Sequence, residues 1–394
     1  IFQPSFGYII GFAVAAYVNG KIANAGILDS YFYGTSKVGG VCGNNYTGTI
    51  TNCYNTGSVS GLGTLGGVSG YNYTGSITNC YNTGNVSGSS GFVGGVSGCN
   101  SKGTIINSYN AGSVSGLECV GGVSGDNDTG SIRDCYNIGS VSGSEGNVGG
   151  VNGNNNGGII TNSYNAGSVS GIERYVGGVN GWNNGTITNC YNVGSVSGSG
   201  YVGGVNGWNK GTITNCYNTG SVSGTGVNVG GVIGRNESNA TIKNCYYDST
   251  IYTGTAIGYD GGTTEKVEGK TTAQFASGEI AYLLSQGCTI GEVTYDGTIW
   301  GQTIGTDTYP TLGGAKVYKN ATYKGCEGKP GEPVSYEYSN TEKNTYGDHP
   351  DADNDGKCDD CGVIIDGIGA KLAGYSLSLT GNIGVNFYME LSDD

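Results

Sequence analysis

Histidine occurs once in this 394-residue chain, tryptophan three times and proline five times. A single histidine cannot write His-Glu-x-x-His, so that zinc-peptidase signature is absent. Five prolines beside 80 glycines, with no Gly-X-Y period, exclude a collagen triple helix. Bases are scarce too: residues 1–250 carry 8 against 9 acids, and none gather into the stripe that a phosphate backbone needs. Nucleic acid is therefore not an expected partner. The apolar stretch Tyr8–Val18 is too short and too rich in Gly and Ala for a membrane span. Hydrophobic content is only 36%, but it sits in Val, Ile and 30 tyrosines at repeated positions, which argues against disorder.

What the chain does have is a period. Gly-Gly-Val starts at Gly39, Gly66, Gly94, Gly121, Gly149, Gly177, Gly203 and Gly230, at intervals of 26 to 28 residues. In the copy from Gly66 to Gly88, three β-prone runs lie between glycine turns: Gly67–Ser69, Ser76–Tyr81 and Asn85–Ser87. Each run holds one apolar residue, Val68, Ile77 and Val86, with Thr or Ser on the opposite face. A fixed period of short strands with glycine corners predicts an all-β fold, a triangular parallel β-solenoid whose coils stack to bury a core. The stretch Ile10–Gly34 matches weakly, with GILDSYFYG set beside TITNCYNTG, which makes about nine coils. At about 4.8 Å per coil the rod is roughly 43 Å long.

Stacking turns each repeat position into a column. Cys53, Cys80, Cys135, Cys190, Cys216 and Cys245 share one with Ser108 and Ser163, which fits a small inward side chain better than a required disulfide partner. Stapling of neighbours such as Cys53 and Cys80 in an oxidising compartment is the alternative. A tyrosine follows in every coil, suited to an aromatic ladder. Asn52, Asn79 and Asn189 suit corners, where Asn tolerates left-handed backbone and amides can stack. One column varies while its frame stays constant: Tyr71, Cys99, Asp126, Trp182, Trp208 and Arg235. Trp182, Trp208 and Tyr71 are the candidate ligand-binding residues, the two tryptophans as a pair suited to glycan stacking.

The units GGVSG, GTITNCYNTG and SVSG, from about Val38 to Tyr247, resemble the GLUG repeat of bacterial cell-surface and secreted proteins. The resemblance implies a surface or adhesin-like protein at an extracellular location, with no catalytic role for the motif itself. The repeats are assigned to residues 1–247 and a closing cap to residues 248–319. Within the cap, Ser277 is expected to N-cap a helix over Gly278–Gln286, with Ile280, Leu283 and Leu284 plugging the open solenoid end. Trp300 and Asp307–Leu312 read as a final irregular coil. Residues 366–394 read as the start of a truncated β-sandwich, so the chain is taken as a fragment whose envelope attachment lies elsewhere.

Residues 320–365 form an acidic, Cys/Asp-rich linker; 320–394 carries 14 acids against 5 bases. His349–Gly362 reads HPDADNDGKCDDCG. Asp351, Asp353, Asp355 and Asp359 have the alternating oxygen spacing of a calcium loop, although position twelve is Gly362 rather than Glu. That acid spacing resembles thrombospondin type 3 repeats, which implies a calcium-ordered linker. A second metal reading gathers Cys326, His349, Cys358 and Cys361 as a Cys₃His zinc site. A disulfide from Cys326 to one of the later cysteines is a third reading.

The functional expectation is a non-enzymatic repeat protein, an adhesin, ligand-binding surface or stalk, with a glycan or host-matrix ligand and no catalytic residue. The alternative is a β-helix polysaccharide lyase or hydrolase. That chemistry needs clustered acids, and Asp134 beside Arg133 is the nearest approach.

Overall fold

The structure is a computed structural model and describes residues 20–352, 357–364, 370–378 and 384–391. It divides into two compact units, Ile1–Lys316 and Val317–Asp394. The stretch Tyr8–Val18 lies outside the described residues. Among those described, no helix is long and apolar enough to cross a membrane.

The first unit is a right-register stack of about nine coils whose strands pair in parallel in four ladders. In one coil the strands are Thr64–Gly66, Ser69–Asn72, the pair Ser76–Thr78 and Tyr81–Asn82, and Val86–Gly88. Like pairs with like: Ile50, Ile77, Ile105 and Ile132 are successive partners. The expected triangle is therefore corrected to four ladders. The run expected at Gly67–Ser69 is corrected: Gly66 ends one strand, Gly67 and Val68 bend, and Ser69 opens the next. A Cβ at Gly94 would fall on the Ser97 carbonyl oxygen, and one at Gly95 on the Asn110 side chain. Gly94 ends a strand and Gly95 lies in the bend after it, both at a close approach that leaves no room for a Cβ.

The upstream coil exists, but five residues earlier than the expected alignment. Lys21, Ile22 and Ala23 pair with Thr49, Ile50 and Thr51, and Gly26 lies opposite Tyr54. The true counterpart of TITNCYN is KIANAGI, where Asn24 takes the left-handed corner at φ 55°. Asn52, Asn79 and Asn189 do the same at φ 52°, 54° and 52°. Their amides link coils, with Asn79 donating to Asn52 at 3.2 Å and Asn52 to Asn24 at 3.1 Å.

Val96, Ile105, Val114 and Val93 show what one coil buries, each at most 1% exposed. Such a side chain contributes about 1.5–3 kcal/mol. Between these apolar columns run two fully buried amide ladders. In one, Asn45, Asn72, Asn100, Asn127, Asn155, Asn183, Asn209 and Asn236 each donate Nδ2–H to the next Oδ1 at 2.7–3.0 Å, ending on Asp260. In the other, Asn55 through Asn218 do so at 2.7–2.8 Å. The second N–H of each rung goes to a nearby carbonyl, as from Asn110 to Gly112 at 2.7 Å. A buried amide is tolerated when all its groups are paired.

The cysteine column is inward, buried and free of disulfides. Its sulfur and hydroxyl groups accept backbone N–H bonds from the preceding coil: Cys53 N–H to Cys80 Sγ at 3.4 Å, Cys80 N–H to Ser108 Oγ at 3.1 Å. Cys and Ser therefore fill the same role. Burial pushes the Cys80 and Cys135 thiols up to about 12, which leaves them neutral and inert. Outside, Tyr54, Tyr81, Tyr109, Tyr136, Tyr164, Tyr191 and Tyr217 stack at 4.7–5.1 Å with planes 3–9° apart.

The cap lies elsewhere than expected. Ile280, Leu284, Phe275 and Trp300 bury themselves against Tyr217 and Tyr246, on the side of the solenoid over the last tyrosines. Trp300 Nε1 donates to Asn189, Tyr217 hydroxyl to Pro310 O, and Asn244 to Leu283 O. The open end is covered by Ile257–Asp260 and Thr263–Lys270, which extend two ladders in parallel. Glu265, Lys266, Glu268 and Lys270 make that final edge charged, which discourages further pairing. Helix α1 is Thr272–Ala276 and helix α2 Glu279–Ser285. Thr271 caps α1 through a capping box, Ser277 closes α1 rather than opening α2, and Gly278 precedes α2 with φ 90°. Trp300–Gly301 pairs antiparallel with Thr311–Leu312, so that segment is a hairpin instead of a coil.

In the second unit Tyr318–Tyr323 pairs antiparallel with Pro333–Ser339, and Ala370–Ser378 with Gly384–Leu391.

Cys135→Ser should preserve stability to within about 1 kcal/mol, because a hydroxyl replaces the acceptor for the Ser108 N–H. Cys135→Val should cost about 1–3 kcal/mol by orphaning that buried donor. Denaturant melts of the two variants check the difference.

Candidate functional site

The variable column is real and faces outward from the second ladder. Register places Asn44, Tyr71, Cys99, Asp126, Asn154, Trp182, Trp208, Arg235 and Tyr259 side by side in that order. Trp182 and Trp208 meet edge to face at 6.3 Å. Tyr71 is four coils away, about 19 Å along the stack, and is not part of their cluster. Lys37 Nζ sits 3.7 Å from the Tyr71 ring, which makes it a local cation–π contact.

Two aromatic partners went unseen in the sequence. Tyr175 and Tyr201 are paired across the adjoining ladder, their rings 5.3 Å apart. Tyr175 lies 4.6 Å from Trp208, and Tyr201 6.4 Å. Both precede Val-Gly-Gly, in a stretch whose variable length reads as a turn; the alternation in Tyr175–Gly177 was the available signal. The four rings form one L-shaped aromatic corner where two ladders meet. Beside it an open groove of about 430 Å³ is lined by Asn147, Asn154, Asn156, Arg174 and the rings of Tyr175, Trp182 and Trp208.

At the other side the aromatic corner is fixed by charge. Trp208 Nε1 donates to Glu237 at 2.9 Å, and Arg235 pairs with the same carboxylate at 2.7 Å. The Arg235 hydrogen bond holds the Glu237 carboxyl below its usual range, with the Trp208 bond adding to it. Arg235 also stacks over Tyr259 at 4.5 Å.

Two acids of the solenoid, Asp134 and Asp126, are tied into the frame, whereas Glu118 and Glu145 of successive coils line a second groove together with Arg174. Asp134 occupies a left-handed corner at φ 55°, pairs with Arg133 at 3.2 Å and accepts from Asn162 at 3.1 Å. Asp126 is 5% exposed and accepts from Asn154 at 2.6 Å and Cys99 at 3.4 Å. Burial raises its pKa.

Of the four aspartates read as calcium ligands, Asp353 and Asp355 lie outside the described residues. Asp359 Oδ2 accepts the Ala352 N–H at 2.7 Å, and Asp359 N–H bonds to Pro350 O, so Asp359 closes the loop on which Asp351 sits. The second metal set does converge: the ligand atoms of Cys326, His349, Cys358 and Cys361 all lie within 4.8 Å of one another. Backbone N–H bonding from Val363 holds the Cys361 thiol below its ordinary pKa.

Ladders, corners and columns together define a parallel β-solenoid repeat protein. The chain carries the GLUG motif, whose model matches residues 34–60, 61–87 and 225–252. A solved structure described as a "putative immunoglobulin A1 protease from Bacteroides ovatus" is similar over 67% of this chain and 77% of that one, at 20% identity and a TM-score of 0.40. No curated protein matches the chain.

Asp126→Asn tests the buried carboxyl. Folding raises its pKa above the ordinary 3.8, so the folded state favours the protonated form. The stability from that form is complete below the unfolded pKa and is lost as pH rises through the folded one. The Asn variant fits a column that already holds Asn44 and Asn154. It should melt about 2–4 °C higher than the parent at pH 7 and show no gain below the ordinary carboxyl pKa, as measured by thermal melts across pH.

Proposed function

We propose that this chain is the non-enzymatic solenoid region of a secreted or cell-surface bacterial protein, presenting a lateral aromatic corner to a glycan. The observation that carries the reading is the convergence of Trp182, Trp208, Tyr175 and Tyr201 beside a groove edged by three amides and Arg174. Sugar rings offer flat C–H faces to aromatic rings and hydroxyls to amides. Exposed aromatic patches on a rigid scaffold are where binding is expected. The repeat frame supplies rigidity, and the variable column supplies chemistry.

A non-enzymatic role is supported by the commitment of the acid beside the aromatic corner and of the acid in the Arg133–Asp134 pair. Glu237 is committed to Arg235 and Trp208, and Asp134 to Arg133 and Asn162. A glycosidase needs two carboxyls across one bond, free to exchange protons. His349 alone cannot write the His-Glu-x-x-His signature of zinc peptidases. The secreted or surface location is part of this proposal, and the GLUG repeats are what support it.

A glycan and host-matrix array probed with the intact chain tests the reading. Trp182→Ala/Trp208→Ala should bind at least about tenfold more weakly, a loss of about 1.4 kcal/mol, while its circular dichroism stays unchanged. Parent-level binding in the double variant removes the aromatic corner from the function. Turnover of a polysaccharide that disappears in Asp134→Asn would replace the proposal with the hydrolase or lyase reading.

A further inference from the structure

The second unit brings three thiols and one imidazole to a point. Cys326 Sγ and Cys358 Sγ are 3.5 Å apart, and Cys361 Sγ is 3.5 Å from His349 Nδ1. A tetrahedral zinc ion with ordinary Zn–S and Zn–N bonds would set sulfur–sulfur edges at about 3.8 Å and sulfur–nitrogen edges at about 3.6 Å. All four ligand atoms lie within 4.8 Å of one another, and these two separations are close to those edges. They exceed a disulfide bond, about 2.05 Å, by far.

The backbone is arranged to hold the four groups there. The Cys326 turn closes by Lys329 N–H to Cys326 O at 3.0 Å. The Cys358-x-x-Cys361 turn closes by Gly362 N–H to Cys358 O at 2.7 Å, with Gly362 at φ 72°. The two turns pack so closely that a Cβ on Gly328 would meet Cys361 Cβ at 2.6 Å. His349 is brought in by its neighbour: Pro350 O accepts the Asp359 N–H at 2.8 Å, which fastens the histidine segment to the cysteine turn. Cys326 and Cys358 are buried at 0% and 2% exposure.

We propose that Cys326, His349, Cys358 and Cys361 bind one zinc ion as a closed structural site. Four protein ligands leave no open position for substrate, so the role is in folding. Among residues 317–352 and 357–364, the buried apolar side chains are Val317, Ala321 and the two cysteines themselves. A metal ion would staple the segment around these residues. With zinc bound, the three cysteines would ligate through sulfur and His349 through Nδ1.

The test uses the full chain. Purified with zinc present, it should hold one zinc per chain by mass-spectrometric metal analysis. Replacement by Co²⁺ should give the visible bands of a tetrahedral thiolate site. Cys358→Ser, Cys361→Ser and His349→Gln should each lose the metal, while Cys288→Ser, outside the cluster, keeps it. Chelation of the parent should expose the segment after Lys316 to protease while the solenoid resists. A parent chain that takes up no zinc, retains it in all three cluster variants, or shows a Cys326–Cys358 disulfide in peptide maps overturns the proposal. So does a segment ordered by calcium alone. None of these results bears on the aromatic corner, which lies in the other unit.

Discussion

Everything in the solenoid depends on coil-to-coil register, and the interaction that enforces it is the buried asparagine ladder. Each rung has one N–H for the next coil and one for its own turn, so both donors are used only when every rung is Asn and every coil is in phase. A slip would leave an amide unpaired in the core, costing about 1–3 kcal/mol per group. Apolar columns alone would tolerate such errors, since Val and Ile pack against many neighbours. The ladder ends where its logic ends. Asp260 accepts the last N–H and has none to pass on, while Asn45 Oδ1, the first acceptor, has no partner among the described residues.

That strict inside explains the permissive outside. Because register is held by buried amides and by glycines with no room for a Cβ, an outward position can change from Asn to Trp to Arg without disturbing the stack. Asn154, Trp182, Trp208 and Arg235 are successive partners on one ladder. The cap exploits the same division. It leaves the core untouched and lays Trp300 and Phe275 on the outer tyrosine ladder, while a charged strand closes the edge.

Much of this was legible beforehand. The parallel stack, the inward Val and Ile, the Cys/Ser equivalence, the tyrosine ladder and the left-handed asparagines all follow from one period and from residue chemistry. The misses have a common cause. Gly67–Ser69 reads as a strand because Val68 is β-prone, and here Gly67 and Val68 form the bend between two strands. The columns of Asn55 and Asn72 escape a reading by hydropathy, because asparagine is polar and reads as surface or loop, and here both are core. Tyr175 and Tyr201 lay in a stretch of variable length, where strand alternation is hard to see.

By itself the sequence determined that the coils repeat and which side chains share a column, because identical text at a fixed interval can bury its faces only by stacking on itself. It could not say which columns adjoin. The neighbourhood of Trp208 and Tyr175, 33 residues apart, is set by how sharply two ladders meet at a corner. The gathering of Cys326 with His349 and Cys361 likewise depends on turns that fold a loosely spaced segment back on itself. Distances of this kind arise from backbone geometry summed over many residues, and only the tertiary structure decides them.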